Sequence, residues 1–211
     1  MSICITGGAG FVGSSLARRY RARYPERRIV AFDNLKRRGA EFNLADFKAL
    51  DIEFEHGDVR IADDLEAVAG DFDLLIDASA EPSAHAGADG SPNYLIDTNL
   101  GGTLNCLEWA RRRSSALLFL STSRVYSLPA LRELPLREEQ TRLSVDTAQA
   151  LPRGLSAAGI DETFDTSRHR SLYGATKLAS ELFVQEYCAT YGLKAIINRC
   201  GVIAGPGQWG K

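Results

Sequence analysis

The chain has 211 residues, with 25 Lys+Arg against 27 Asp+Glu, a formal net charge of -2 and a pI near 6.0. That balance excludes the strongly basic surface of a dedicated nucleic-acid or anionic-membrane binder. Hydrophobic residues make up 45% and charged residues 25%, the makeup of a folded chain with a core of its own.

The predicted elements alternate. Ser2–Thr6 reads as a buried strand, Phe11–Arg23 as a helix and Arg28–Phe32 as a second strand. A helix over Asn43–Leu50 leads to a strand at Ile52–His56, and a short helix over Ala62–Ala69 to a strand at Leu74–Ala78. Ser91 is placed to cap a helix with Pro92 at its first position, running to about Arg113. Ala116–Ser121 is a fifth strand, Ser171–Tyr191 a long helix and Lys194–Arg199 a sixth strand. Strands separated by helices imply right-handed crossovers and a doubly wound parallel sheet with helices on both faces, an α/β Rossmann fold of strand order 3-2-1-4-5-6.

Residues 128–170 break this rhythm. Pro129, Pro135, Pro152, Gly154 and Gly159 punctuate a stretch without clear period, expected to be an irregular insertion near the active site. No window supplies the ~20 apolar residues of a membrane span, and the amino terminus is too short and uncharged for a signal peptide. Cys4, Cys106, Cys188 and Cys200 are too far apart for a metal knuckle or a redox pair, so reduced buried thiols in a cytoplasmic protein are expected, with no metal.

Chemistry enters at Gly7-Gly8-Ala9-Gly10-Phe11-Val12-Gly13, between the first strand and the first helix. Glycines at these spacings allow a tight turn, close approach of a pyrophosphate and tight packing of helix on strand, while the first helical amides hold phosphate. Asp33 stands 20 residues after Gly13 at the end of the next strand, where a carboxylate accepts bonds from ribose hydroxyls. It favours NAD by repelling a 2′-phosphate, although Arg37 and Arg38 just beyond leave NADP open. Asp58 in HGDVR is suited to the adenine amino group or to the surface. Tyr173 and Lys177 form Y-x-x-x-K at the start of the long helix, on one face. An ammonium there favours the phenolate, which makes tyrosine a base. The fifth strand ends in LSTSRVY, a run of hydroxyls at the carboxyl edge of the sheet.

GGAGFVG, the placement of Asp33, HGDVR, TNLGGTLN, LSTSRVY, YGATK and RCGVIAGPGQ occur in the order seen in extended short-chain dehydrogenases/reductases. The chain resembles the nucleotide-sugar epimerase and dehydratase group over essentially its whole length. DNLKRRGA, EEQTRLSVD and NRCGVIAGPGQWGK look most like the CDP-tyvelose (CDP-paratose) 2-epimerase branch.

The resemblance implies NAD as cofactor, a nucleotide sugar as substrate and a homodimer through a four-helix bundle, with no nucleic-acid or membrane partner. It makes Thr122 the catalytic hydroxyl, Tyr173 the base, and Lys177 its electrostatic partner and a ribose ligand. The cofactor positions it implies are Gly7, Gly10, Phe11, Val12, Gly13, Asp33, Asn34, Asp58, Val59, Ser79, Ala80, Asn99, Tyr173 and Lys177, with Asn99 also organising the active-site helix. Related 4,6-dehydratases carry Asp-Glu after the threonine, and decarboxylase relatives a glutamate at the second of these positions. Ser123 and Arg124 stand there instead, leaving epimerisation or simple redox. A net NAD(P)-dependent reductase, a UDP-sugar 4-epimerase and a non-catalytic dinucleotide sensor are the alternatives. Family members run longer than this chain, so most of the substrate subdomain is expected to lie beyond residue 211.

Overall fold

The structure is a computed structural model that describes residues 2–83, 86–87 and 90–208. In chain order, β1 (Ile3–Thr6), α1 (Phe11–Arg23), β2 (Ile29–Asp33), α2 (Asn43–Ala49), β3 (Glu53–His56), α3 (Ala62–Glu66) and β4 (Leu74–Asp77) form the first half. A continuous helical stretch follows as α4 (Asn93–Ile96), a π-helical segment (Asp97–Gly101) and α5 (Gly102–Arg112). Then come β5 (Ala116–Thr122), a 3-10 turn (Ser123–Val125), α6 (Leu128–Arg132), and the short strands β6 (Leu136–Glu138), β7 (Leu143–Val145), β8 (Leu155–Ser156) and β9 (Gly159–Ile160). The long helix α7 (Leu172–Tyr191) and β10 (Ala195–Cys200) complete the chain.

Six strands form one parallel sheet in the order β10-β5-β4-β1-β2-β3, the order expected for a Rossmann fold. Alternation along each strand splits the core in two. Ile3, Ile5, Ile29, Ala31 and Ile76 pack with Ala17 and Phe47 from α1 and α2. Cys4, Val30, Phe32, Leu75, Leu117 and Phe119 pack on the other face, with Leu65, Leu107, Trp109 and Val184 from α3, α5 and α7.

The helix expected from Pro92 begins instead at Asn93, because Pro92 (ψ 0°) is its N-cap; Ser91 Oγ still accepts from the Asn93 amide at 3.3 Å. Residues 128–170 are not without structure. They form α6 and two small antiparallel hairpins, held by Val125, Tyr126, Ala130, Leu155 and Phe164. Helix α7 has a Ser171 cap, whose Oγ accepts from the Gly174 amide at 3.1 Å, and ends at Gly192 in the left-handed region (φ 70°). Among the described residues no helix is long and apolar enough to cross a membrane.

Candidate active site

A cavity of about 620 Å³ opens along the carboxyl ends of the parallel strands. Its floor is the turn after β1. Gly7 adopts φ +62°, and a Cβ on Gly13 would lie 2.1 Å from the Gly7 carbonyl oxygen, so only glycine permits this approach of helix to strand. Gly10 offers α1 no side-chain cap, which leaves the first amides of the helix for a ligand.

Gly7, Gly10, Phe11, Val12, Gly13, Asp33, Asn34, Val59, Ser79 and Ala80 all line this cavity, as do Thr122, Tyr173 and Lys177. Asp33 is buried and is tied to the phosphate turn: one oxygen accepts from the Ala9 amide at 3.1 Å, the other from the Leu35 amide at 2.8 Å. Burial raises its carboxyl above the usual range, opposed by these amides. Asp58 is not among the lining residues. Its carboxylate is held by Arg60 at 2.6 Å and by Asn34 at 2.9 Å, and the arginine keeps it well below the usual carboxylate range.

Asn99 also lies behind the lining. It sits fully buried in the π segment, accepting from the Glu81 amide at 2.8 Å and donating to Thr176 Oγ1 of α7 at 3.2 Å. Its carbonyl accepts from Ser180 Oγ at 3.1 Å, with Thr103 Oγ1 2.8 Å away. Asn99 therefore brackets the loop after β4 to the helix that carries the tyrosine.

Thr122 ends β5, and its Oγ1 accepts from the Arg124 amide at 3.2 Å. Burial raises the Tyr173 phenol above its ordinary value, while a hydrogen bond with Thr122 opposes the rise. Arg124 is a nearby cation that also favours the phenolate. Lys177 is drawn deeper: its ammonium lies 4.4 Å from the centroid of the Phe119 ring, and burial lowers its affinity for a proton. The insertion at residues 128–170 contributes no lining residue.

Thr98, Tyr94 and Cys200 are among the lining residues that the sequence reading did not assign to the site. Thr98 is buried, with a hydroxyl that has no hydrogen-bond partner among the described residues. Its only signal was its place beside Asn99. Tyr94 is flanked by the Lys36 ammonium at 4.0 Å and the Arg60 guanidinium at 4.8 Å. Cys200, expected to be a buried core thiol, is partly exposed and lines the cavity. Among the described residues no group of acidic, histidine or cysteine side chains is placed to hold a metal.

The sheet order and the glycine turn define an α/β protein of the Rossmann type. The chain belongs to the NAD dependent epimerase/dehydratase family, whose model matches residues 3–211. It is 31% identical to a CDP-paratose 2-epimerase of Salmonella typhi, over 99% of this chain and 59% of that protein. A dTDP-glucose 4,6-dehydratase of Mycobacterium tuberculosis is 27% identical, over 99% of this chain and 55% of that one. Among solved structures, a dTDP-glucose 4,6-dehydratase of Streptomyces venezuelae with NAD bound superposes with a TM-score of 0.73 at 28% identity, covering 99% of this chain and 58% of that one. The chain thus spans little more than half the length of these relatives.

The residues present fit the dinucleotide of the family's name. The cradle at Gly7 and Gly13 is space a Cβ would fill, and the Thr98 hydroxyl is a buried polar group awaiting a partner. Asp33 would hold the adenosine ribose, the α1 amides the pyrophosphate, and Tyr173 and Lys177 the nicotinamide end.

Proposed function

We propose that the protein is an NAD-dependent nucleotide-sugar epimerase that acts by transient oxidation of a sugar hydroxyl. The observation that carries this reading is that Thr122, Tyr173 and Lys177 line the same cavity as the phosphate turn. Ser123 and Arg124 follow the threonine where elimination would call for acids, which favours epimerisation over dehydration. Similarity to the CDP-paratose 2-epimerase favours C2 of a CDP-sugar as the reacting carbon; a UDP-sugar 4-epimerase is the second reading.

Bound NAD supplies reversible hydride acceptance. The chain's own residues manage the proton and the geometry. Tyr173 Oη removes the proton of the sugar hydroxyl, and Thr122 Oγ1 shares a hydrogen bond with the reacting oxygen. Lys177 places a positive charge behind them. Once the keto sugar has turned its other face to the nicotinamide site, where the cofactor would restore the hydride, Tyr173 gives its proton back to the oxygen. No cofactor is consumed, which separates this reading from a reductase.

The assembly we infer is a homodimer. Leu172, Leu182 and Phe183 of α7 are exposed at 46%, 57% and 42%, an apolar face that a second copy would cover. A monomer in sedimentation would remove this part of the reading.

The test of function is Tyr173→Phe, assayed with CDP-paratose and with UDP-galactose. The variant keeps NAD binding and loses turnover by roughly 10²–10⁴-fold, the worth of a positioned acid–base group. Undiminished turnover, or reduced cofactor accumulating in stoichiometric amounts with the unmutated protein, overturns the proposal.

A further inference from the structure

Asp77 closes β4, is fully buried, and has no task in the mechanism above. Parallel register aligns Thr6, Asp77 and Phe119 in one row across β1, β4 and β5. Their side chains therefore leave the same face of the sheet, one strand spacing of ~4.8 Å apart. Four donors converge on the Asp77 carboxylate. Thr6 Oγ1 donates at 2.9 Å, the Ser79 hydroxyl at 2.7 Å, the Ser79 amide at 3.3 Å and Thr103 Oγ1 of α5 at 2.9 Å. All four are uncharged. Over the next place in the row, Phe119, lies the ammonium of Lys177.

The Asp77 carboxyl and the Lys177 ammonium thus occupy neighbouring places of that row, both buried on the face covered by α5 and α7. Each alone would be expensive to bury. Asp77 from β4, Cys106 from α5, Cys200 from β10 and Glu181 from α7 itself all favour the protonated form of Lys177. Burial raises both thiols, so they stay neutral. Glu181 is engaged by Arg199 at 2.6 Å. Asp77 is the strongest of the opposing influences that hold the proton on Lys177 against burial.

We propose that Asp77 is a positioning residue, the buried counter-charge that keeps Lys177 an ammonium, ready for the cofactor ribose and for Tyr173. Its consequence for turnover rests on the reading of Lys177 given above. The electrostatic pairing does not, and it is tested without substrate.

The chain has five lysines, so the side-chain nitrogen of Lys177 can be followed against pH by NMR in protein carrying isotope-labelled lysine, with Lys177→Met to assign the signal. In Asp77→Asn the titration midpoint falls by about one pH unit or more, a tenfold loss of the protonated form at a given alkaline pH. An unchanged midpoint in a folded variant overturns the proposal. Where Asp77→Asn alone does not fold, the double variant Asp77→Asn/Lys177→Met decides. Removing both charges restores a cooperative thermal transition if the two are coupled. A double variant as unstable as the single one overturns it. A shifted midpoint in a protein that epimerises no nucleotide sugar supports the pairing and sinks only the functional reading.

Discussion

Thr98→Val separates the cost of an empty site from the gain of a filled one. Valine keeps the shape of threonine and removes its hydroxyl, a group that is buried and without a partner among the described residues. Leaving such a group unsatisfied costs ~1–3 kcal/mol, so its removal stabilises the cofactor-free protein by about 1 kcal/mol. At this chain length each kcal/mol moves Tm by roughly 2–4 °C, which sets the expected rise. Affinity moves the other way. If the hydroxyl bonds to the dinucleotide, its loss removes ~0.5–1.5 kcal/mol, and NAD binds roughly two- to twelvefold more weakly. Thermal unfolding without cofactor and calorimetric titration with NAD read the two effects separately. A lower Tm without cofactor, or unchanged NAD affinity, would refute the assignment of Thr98 to the binding surface.

Two further outcomes are expected. Glu181→Gln leaves the guanidinium of Arg199, 16% exposed, without the carboxylate that now holds it at 2.6 and 3.0 Å. Breaking such a buried pair costs about 3 kcal/mol, a fall in Tm of roughly 6–12 °C, and a loss below 1 kcal/mol would show the pair to be solvent-screened. Burial raises the Tyr173 phenol, so in cofactor-free protein its proton leaves only above the ordinary tyrosine value. Tyrosinate absorbance of the unmutated protein minus that of Tyr173→Phe gives this titration; a midpoint below the ordinary value would mean that a cation outweighs burial.

The parallel sheet and the phosphate turn were legible because each rests on a local signal. Buried parallel strands read as short apolar runs, as in Ile3–Thr6 and Leu74–Asp77, and the glycine spacing is imposed by contacts that admit no Cβ. The hairpins between Leu136 and Ile160 were not legible. Strands of two or three residues are too short to show a period, and they are held by tertiary contact with Tyr126 and Phe164. The π segment left no trace either, since it changes which amide meets which carbonyl without altering the apolar pattern. Asp77 read as an ordinary residue at a strand end; its importance appears only once the register sets it in line with Thr6 and Phe119. The Y-x-x-x-K spacing put Lys177 on the right helix face, but its depth in the core is a property of the packed sheet beneath it.

In the proposed epimerisation a single hydride leaves a sugar carbon and returns to the same carbon. Following the sugar by NMR in deuterated water, with the enzyme and its bound NAD, tests this directly. In that reaction the inverted centre keeps its carbon-bound hydrogen while its configuration changes. Full deuterium incorporation at that centre would instead mean deprotonation beside a carbonyl, and would contradict it.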